Sequence, residues 1–261
     1  MKSPRNVLIT GASSGIGAAL ARAYAETGRT LFLTGRDRDR LDAVAIACRG
    51  TGAMVEAIVL EVRDRFATAG WIEAMERAHR LELVIANAGI SGGTGGGGES
   101  EAQARHILTT NLDGVLNTIH PAIECMRRHA PLDGVRGQIA IMSSLAAFRG
   151  FPGAPAYCAS KAAVKSYGES LRGVLAAEGI ELSVICPGFV RSGMTESNRF
   201  VMPFLMDSNR AAAIIRRGLA RNRARIAFPW PMYLAVSLLA ALPPGLVDRA
   251  LVRLPRKARD G

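Results

Sequence analysis

Short apolar runs alternate with amphipathic segments along most of this chain. Runs of strand length occur at 6–10, 30–34, 53–60, 81–86, 138–142 and 181–186. Segments with helical apolar spacing lie between them, at 16–27, from Asp37 or Asp39 to about 49, 64–79, about 101–128, and 156–177. Such alternation is typical of parallel strands joined by right-handed helical crossovers. We therefore predict an α/β fold, a doubly wound parallel sheet with helices on both faces, in a single domain over 1–224.

The last segment of the chain, 225–261, has a different pattern and is predicted to be an extension. Residues 226–247 carry no charge, a length that could suggest a membrane span. Four prolines, at 229, 231, 243 and 244, leave only 232–242 as uninterrupted helix. That helix covers about 16 Å, well short of the ~30 Å hydrocarbon core. We expect it to pack on the domain, on a partner subunit or on a membrane surface.

The formal net charge of +11 is concentrated near the end of the chain. Residues 191–261 hold 13 lysines and arginines against 4 acidic residues, and arginine outnumbers lysine 29 to 4 overall. This excess would suit a polyanionic partner, although biased codon usage also produces arginine-rich chains. No nucleic-acid-binding motif or interleaved aromatic residues accompany the basic stretch, so we do not expect nucleic acid as a partner.

The cysteines and histidines do not have the spacing of metal ligands. The four cysteines are Cys48, Cys125, Cys158 and Cys186, separated by 77, 33 and 28 residues. No signal peptide precedes the first predicted strand. These features predict free thiols, no metal site and a reducing, cytoplasmic location.

A glycine-rich turn joins the first predicted strand to the first predicted helix. Residues 10–17 read TGASSGIG, with the spacing Gly-x3-Gly-x-Gly. Gly11 permits the tight turn, Gly15 the close approach of a pyrophosphate, and Gly17 the contact between helix and sheet. The helix N-terminus then offers free N–H groups and a partial positive charge to an anion. This turn predicts a dinucleotide site.

Further motifs follow the later strands in a fixed order. They are Asn87-Ala88-Gly89, Asn111, Ser144, Tyr157 with Lys161 four residues later, and Pro187-Gly188. Together with TGASSGIG they make the chain resemble the short-chain dehydrogenase/reductase family over roughly residues 5–220. The resemblance implies a Rossmann-like fold and an NAD(P)-dependent oxidoreductase. Such an enzyme transfers hydride reversibly between the cofactor and a ketone or secondary alcohol.

The resemblance also implies a set of cofactor-binding residues. Val190 and Ser192 would touch the nicotinamide carboxamide, and Asn87 would line the adenosine ribose. Glu61-Val62 stands where the family usually has Asp-Val, and the longer arm of glutamate leaves its contact with adenine open. The full set is Gly11, Ser13, Ser14, Gly15, Ile16, Gly17, Arg36, Glu61, Val62, Asn87, Ala88, Gly89, Tyr157, Lys161, Pro187, Gly188, Val190 and Ser192.

The residue after the second strand bears on the choice between NAD and NADP. NAD enzymes usually have a carboxylate there, which binds the ribose 2′-hydroxyl. This chain has Gly35-Arg36, and a guanidinium can pair bidentately with a 2′-phosphate. We therefore predict that NADP(H) is preferred and NAD(H) is possible. The alternative is that Arg36 is solvated and Asp37 binds the ribose.

Four residues are predicted to carry the chemistry: Asn111, Ser144, Tyr157 and Lys161. Tyr157 and Lys161 share a helix face, and an ammonium beside a phenol lowers its pKa from about 10. By resemblance, Tyr157 is the general acid in reduction and Lys161 holds the nicotinamide ribose. Ser144 would orient the substrate oxygen, and Asn111 would hold a water joining Lys161 to solvent. Ser143 is the rival of Ser144, but the 13-residue separation from Tyr157 favours Ser144.

In the family a mobile lid over the substrate follows the sixth strand, here at about 191–208. Its Met194, Phe200, Met202 and Phe204 are predicted substrate contacts, although such side chains also seal lids onto a core. A hydrophobic substrate, such as a 3-oxoacyl or long-chain keto compound, is therefore expected. Arg191 or Arg199 could meet an acidic headgroup or carrier.

The partners expected from the resemblance are a small-molecule carbonyl or alcohol and further copies of the chain. The helices at 101–128 and 156–177 resemble those that pair subunits in the family, which predicts a homodimer or homotetramer. The basic end favours contact with anionic lipid. Its residues are Arg249, Arg253, Arg256, Lys257 and Arg259.

Different features of the sequence suggest three functions. The first is an NADP-dependent carbonyl reductase or alcohol dehydrogenase, the second a cofactor-binding protein without turnover, and the third a nucleic-acid-binding protein. The intact Ser144, Tyr157 and Lys161 favour the enzyme. The substrate and the physiological direction stay open.

Overall fold

The computed structural model of the protein describes residues 3–94, 98–196 and 200–251. Its strands all belong to one parallel sheet in the order β3-β2-β1-β4-β5-β6-β7. They are β1 (Asn6–Ile9), β2 (Thr30–Gly35), β3 (Met54–Val59), β4 (Leu83–Ala86), β5 (Gly137–Met142), β6 (Ile180–Pro187) and β7 (Arg225–Phe228). The predicted doubly wound α/β fold is confirmed.

The helices connect the strands and lie on both faces of the sheet. They are α1 (Gly15–Tyr24), α2 (Arg38–Arg49), α3 (Arg65–Ala78), α4 (Glu101–Leu108), α5 (Gly114–Arg127), α6 (Pro155–Ala177), α7 (Gly193–Glu196), α8 (Ser208–Ala220), α9 (Trp230–Ala241) and α10 (Pro244–Leu251). A π-helical turn, Thr109–Asp113, separates α4 from α5, and a short 3₁₀ turn, Leu145–Ala147, follows β5. The predicted single helix over 101–128 is therefore interrupted by this π turn.

Alternation of side chains along the strands divides the core into two layers. In β1, Val7 and Ile9 belong to one apolar cluster, with side chains of α1, α2 and α8. Leu8 between them belongs to a second cluster, with side chains of α3, α5 and α6. The central strands are buried on both faces, which explains why they read as continuous apolar runs.

Acidic and hydroxyl side chains fix the starts of several helices. Asp37 accepts a hydrogen bond from the backbone N–H of Arg40 and so caps α2, which decides between the two predicted caps. Asp64 caps α3 in the same way. Satisfying these otherwise free N–H groups stabilises each helix start by about 1 kcal/mol.

The end of the sheet differs from the predicted domain division. Arg225–Phe228, the first four residues of the predicted extension, pair with β6 as the seventh strand. The strand is short and begins with an arginine, so its sequence pattern is weak. The sheet thus takes in the start of the extension, and α9 follows directly from its last strand.

No helix within the described ranges is long and apolar enough to cross a bilayer.

Candidate active site

A cavity of about 800 Å³ lies at the carboxyl ends of the strands. It spans the point where the strand order reverses, between β1 and β4, which is the usual ligand position in doubly wound sheets. All of the predicted cofactor-binding residues line it. The structure therefore brings the predicted residues together in one crevice, and their roles stay predictions.

The glycine-rich turn fits closely against its neighbours. Gly11 has a positive φ of 67°, and a Cβ there would lie 2.8 Å from the Cα of Ala88. A Cβ on Gly17 would overlap the carbonyl oxygen of Gly11. Ser14 caps α1 without a side-chain hydrogen bond, and the first turn has no acidic residue. The cradle and the helix start therefore suit a diphosphate.

Asn87 ties this turn to the end of β4. Its side-chain amide donates to the carbonyl oxygens of Thr10 (2.9 Å) and Gly11 (3.1 Å). The Thr10 hydroxyl accepts hydrogen bonds from the backbone N–H groups of Asn87 and Ala88. The amide nitrogen of Asn87 thus stabilises the conformation of the glycine-rich turn. The predicted contact of Asn87 with the adenosine ribose would have to be made by other atoms of the residue.

Two arginines, Arg36 and Arg40, lie with two carboxylates where a nucleotide 2′-substituent is expected. Arg36 is exposed, and its Nη1 lies 3.9 Å from Oε2 of Glu61. The Asp37 carboxylate is taken by the Arg40 backbone N–H (2.9 Å) and Nε (2.8 Å). Because these bonds hold the pKa of Asp37 below its ordinary value, the carboxylate is charged and already paired. Arg40 also lines the cavity, and sequence reasoning did not single it out.

Glu61 is held in its charged form beside Arg36. Burial alone would raise the pKa of its carboxyl, but hydrogen bonds from Arg63 outweigh this and leave the pKa lowered. The Nη2 atom of Arg63 lies 3.1 Å from Glu61 Oε2. Arg63 thus holds the charged carboxylate of Glu61 in the cavity wall.

Ser144, Tyr157 and Lys161 meet in the middle of the cavity. Ser144 lies just beyond β5, whereas Tyr157 and Lys161 lie on the first two turns of α6. The Ser144 hydroxyl donates to the Pro187 carbonyl (3.4 Å), and as a neighbour of the Tyr157 hydroxyl it lowers the pKa of that phenol. Lys161 Nζ donates to the Met142 carbonyl (2.9 Å) and lies 5.8 Å from the Tyr157 ring centroid. Ser143 donates to the Lys161 carbonyl (2.8 Å) and so points away from Tyr157.

The pKa shift of Tyr157 differs from our prediction that Lys161 lowers it. Burial raises the pKa of the phenol above its ordinary value of 10, although the hydrogen bond with Ser144 acts in the opposite direction. The ammonium of Lys161 donates to a backbone carbonyl instead of the phenol oxygen. Desolvation therefore dominates in the protein alone.

Lys161 is almost fully buried, and its charge is correspondingly costly. Burial lowers the pKa of its ammonium from 10.5 to about 8. The group is still charged at neutral pH, close to the phenol and to the nucleotide end of the cavity.

Asn111 lies behind the cavity wall, inside the π turn. Its side-chain amide donates to the carbonyl of Ile90 (2.9 Å) and to the hydroxyl of Ser160 (3.0 Å). Its Oδ1 accepts from the N–H of Ile90 (2.8 Å). A Cβ on Gly89 would lie 3.0 Å from that Oδ1 and 3.3 Å from Lys161 Nζ. Asn111 thus joins the end of β4 to α6 next to Lys161, and its predicted contact with a water stays a prediction.

The far end of the cavity is apolar, and it corrects part of the predicted substrate set. Met194 and Phe200 line the cavity, but Met202 and Phe204 do not. Phe204 is 58% exposed and has a positive φ of 56°, at a turn that directs its side chain to solvent.

The apolar end of the cavity is also lined by residues that were not predicted from the sequence. One face of α9 forms a wall of the cavity. The helix of the predicted extension therefore packs on the domain, which is one of the three placements that the sequence left open. The missed lining residues are Phe151, Val201, Pro203, Met232, Ala235, Val236 and Leu239. The charged residues of the lining are Arg36, Asp37, Arg40, Glu61 and Lys161, and none of the described ones lies at the apolar end.

Some predicted contacts lie elsewhere. Arg191 is exposed outside the cavity lining. Arg199 and the end of the chain from 252 onward lie outside the described residues, and the side chain of Arg249 is likewise not described. All four cysteines are free and buried.

Known proteins with related sequences and structures were compared with this chain. The family model described as short chain dehydrogenase matches residues 5–200. An uncharacterised oxidoreductase of Myxococcus xanthus is 38% identical over 253 residues, 97% of this chain and 98% of that protein. A proposed ketoacyl reductase of the granaticin polyketide synthase of Streptomyces violaceoruber is 34% identical over 193 residues, 74% of this chain and 70% of that protein.

A solved structure of a short-chain dehydrogenase is also similar to this chain. The short-chain dehydrogenase of Sphingobium yanoikuyae, solved in complex with NADPH, superposes with a TM-score of 0.77 at 26% identity. The superposition covers 98% of each chain. The family model and the related sequences show an oxidoreductase that acts on CH–OH or C=O groups. The chain belongs to the short-chain dehydrogenase/reductase family.

Proposed function

We propose that this protein reduces hydrophobic ketones with NADPH and, in reverse, oxidises the corresponding secondary alcohols. The observation that carries the proposal is the position of Tyr157. Tyr157 and Ser144 both line one continuous cavity, between the charged residues of the nucleotide end and an apolar chamber. A carbonyl group held there would face both hydroxyls.

The residues of the chain suggest how the reaction proceeds. When bound, the nicotinamide supplies the hydride that adds to the carbonyl carbon. Ser144 and Tyr157 donate hydrogen bonds to the carbonyl oxygen, and Tyr157 transfers its proton to that oxygen as charge develops. The raised pKa keeps the phenol protonated at neutral pH. The ammonium of Lys161 then stabilises the phenolate that remains.

NADP(H) is the proposed cofactor. Arg36 and Arg40 both line the nucleotide end of the cavity, and the Asp37 carboxylate is paired with Arg40. This arrangement supports the 2′-phosphate and argues against a ribose 2′-hydroxyl bound by Asp37. The relative that was solved with NADPH is in line with this choice.

A 3-oxoacyl or long-chain keto compound is the proposed substrate class. Apolar side chains of the lid and of α9 enclose the far end of the cavity. A charged substrate group would lose its hydration there without gaining a partner. The similarity to a proposed ketoacyl reductase also supports a keto substrate.

A substrate panel tests the proposal. Ethyl 3-oxobutanoate, ethyl 3-oxodecanoate, simple alkyl ketones and the corresponding alcohols are incubated with NADPH or NADH, or with the oxidised forms. We expect NADPH-dependent reduction, with kcat/KM about 10-fold or more above that with NADH, the value of one charge-assisted contact. A preference for NADH, or failure to reduce any carbonyl, would contradict it.

The pH profile of ketone reduction should follow Lys161. With a pKa of about 8, its ammonium is charged below that pH and neutral above it. Burial raises the pKa of Tyr157 above its ordinary value, so the phenol stays protonated over the same range. We expect kcat/KM to fall as pH rises through about 8. If kcat/KM did not change from pH 7 to 9.5, the charge of Lys161 would have no role in the reaction.

We also propose that copies of the chain pair through α5 and α6. Val174 on α6 is 58% exposed, an apolar side chain that a second copy of the chain would cover. Light scattering should give two or four times the chain mass of 27.7 kDa. A monomer at micromolar concentration would contradict the pairing.

A peripheral contact with an anionic membrane is a further part of the proposal. More than half of the exposed large apolar side chains in the described residues lie in two segments, 194–205 and 230–246. Both segments contribute to the apolar end of the cavity. The sequence after α10 then carries four basic residues and one acidic residue. Apolar side chains beside basic charge suit the surface of anionic lipid.

Vesicle binding tests this contact. We expect co-sedimentation with phosphatidylserine-containing vesicles and loss of about 10-fold in affinity in a double variant, Leu234→Ser and Leu238→Ser, whose side chains are 51% and 62% exposed. Phe66→Ser is the control, since Phe66 is 83% exposed on α3, away from the cavity. Equal binding by all three proteins, or no binding by the native chain, would overturn the contact.

A further inference from the structure

Five side chains from different elements meet next to the apolar end of the cavity without lining it. Phe148 follows the 3₁₀ turn after Ser144, and Lys165 and Glu169 lie on α6 beyond Lys161. Arg225 begins β7 and Tyr233 lies on α9. We refer to Phe148, Lys165, Glu169, Arg225 and Tyr233 as the Arg225 cluster.

Arg225 is the centre of this cluster. Its Nε donates to Glu169 Oε1 (2.8 Å), and its Nη1 donates to the hydroxyl of Tyr233 (3.0 Å). Lys165 Nζ donates to the other oxygen of Glu169 (3.1 Å). Both cations lie over the Phe148 ring, with Arg225 at 5.3 Å and Lys165 at 4.9 Å from its centroid. The Tyr233 ring contacts Phe148 edge-on at 5.4 Å.

The hydroxyl of Tyr233 gives α9 a directional tie to the sheet. The helix has no charged residue, and its Ser237 hydroxyl is buried with no partner among the described residues. At the end of the helix, Arg149 Nη1 donates to the carbonyl of Leu242 (3.1 Å). The contacts of α9 with the cavity wall include apolar ones, such as that of Met232 against Gly188, where a Cβ would lie 2.9 Å from the Met232 sulfur. Apolar contacts are non-directional and permit rotation or sliding of a helix. A hydrogen bond to a charged group fixes its position more firmly.

We propose that Arg225, acting through Tyr233, positions α9 as the wall of the substrate chamber and thereby sets how large a substrate the enzyme accepts. The inference rests on the proposed function, since it assigns α9 to the substrate side of that site. Arg225 and Tyr233 are positioning residues, because neither lines the cavity. A bulky substrate would press on α9, whereas a small one would contact only the residues around Ser144.

Tyr233→Phe is the decisive variant, because it removes the hydroxyl and retains the ring against Phe148. We expect KM for ethyl 3-oxodecanoate to rise about 3- to 10-fold, less than for a lost direct contact with a charged group, because Tyr233 acts on the substrate only through α9. KM for ethyl 3-oxobutanoate, KM for NADPH and kcat should stay within about 2-fold. Amide hydrogen exchange over α9 should become faster. Arg225→Met should have the same effects to a greater degree.

Tyr167→Phe is the matched control, since Tyr167 lies on α6 and its hydroxyl bonds His120 outside the cavity. It should change none of these values. Equal increases in KM for both esters, or unchanged exchange over α9 in Tyr233→Phe, would overturn the positioning role. Hydrogen exchange needs no substrate, so it decides this inference even if neither ester is reduced and the proposed function fails.

Discussion

Tyr157→Phe should reduce ketone turnover by about 10²- to 10⁴-fold while NADPH binding stays within about 3-fold of the native value. This range is the usual contribution of a well-placed general acid. The variant removes one oxygen atom from a half-buried side chain and keeps the ring between Ser144 and Lys161. Steady-state rates give the loss of turnover, and the fluorescence of bound NADPH gives its dissociation constant.

Tyr167→Phe again provides the control, because it removes a phenol oxygen from the same helix on a different face. It should retain full activity. Thermal unfolding should show only a small change for Tyr157→Phe, since the lost hydrogen bond contributes about 0.5–1.5 kcal/mol. If Tyr157→Phe kept native turnover, another group would have to supply the proton and the proposed mechanism would be wrong.

Arg36→Ala should lower kcat/KM for NADPH by about 10- to 100-fold and leave kcat/KM for NADH within about 2-fold. A hydrogen bond to a charged group contributes about 1.5–3 kcal/mol, which corresponds to this range of affinity. Because the Arg36 side chain is 57% exposed and solvent weakens its contacts, we expect a loss of kcat/KM in the lower half of this range. The preference for NADPH should also shrink as ionic strength rises.

Arg38→Ala separates a specific contact from a loss of general positive charge. Arg38 is the first residue of α2, two positions along the chain, and does not line the cavity. We expect it to change the ratio of NADPH to NADH activity by less than about 2-fold. An equal loss for both cofactors in Arg36→Ala would show that Arg36 supports the fold of the crevice and does not read the 2′-phosphate.

The sheet and the polar centre of the site could be predicted from sequence because both depend on local, ordered signals. Buried parallel strands give continuous apolar runs, and a motif at the carboxyl end of one strand must lie near motifs at the ends of its neighbours. Gly11, Asn87 and Ser144 follow three different strands, β1, β4 and β5, and the strand order brings them to one edge. Tyr157 lies on α6, the helix that comes after Ser144.

The substrate wall could not be predicted, since its residues carry no periodic signal. The helix α9 is apolar all round, so spacing does not distinguish Met232 and Leu239, which line the cavity, from Leu234 and Leu238, which face solvent. In the lid, neighbouring side chains point in different directions without a repeating period. For this reason Val201 lines the cavity and the predicted Met202 does not.

The shift of the Tyr157 pKa illustrates a second limit. A sequence places a lysine four residues after a tyrosine, but it does not say how deeply either is buried. Here desolvation outweighs the lowering effect of the Ser144 hydroxyl, and the ammonium of Lys161 donates to the Met142 carbonyl instead of the phenol. The direction of such a shift depends on the balance of burial and hydrogen bonds that tertiary packing creates.

The two faces of α9 separate two properties that an enzyme engineer would want to change one at a time. Leu239 faces the chamber, whereas Leu238, the preceding residue, is 62% exposed. Substitutions at 239 should therefore alter substrate range without changing the outer surface. Substitutions at 238 should alter aggregation and adhesion with little effect on substrate choice. Directed evolution of this protein can therefore change substrate selectivity at codon 239 and aggregation at codon 238 independently.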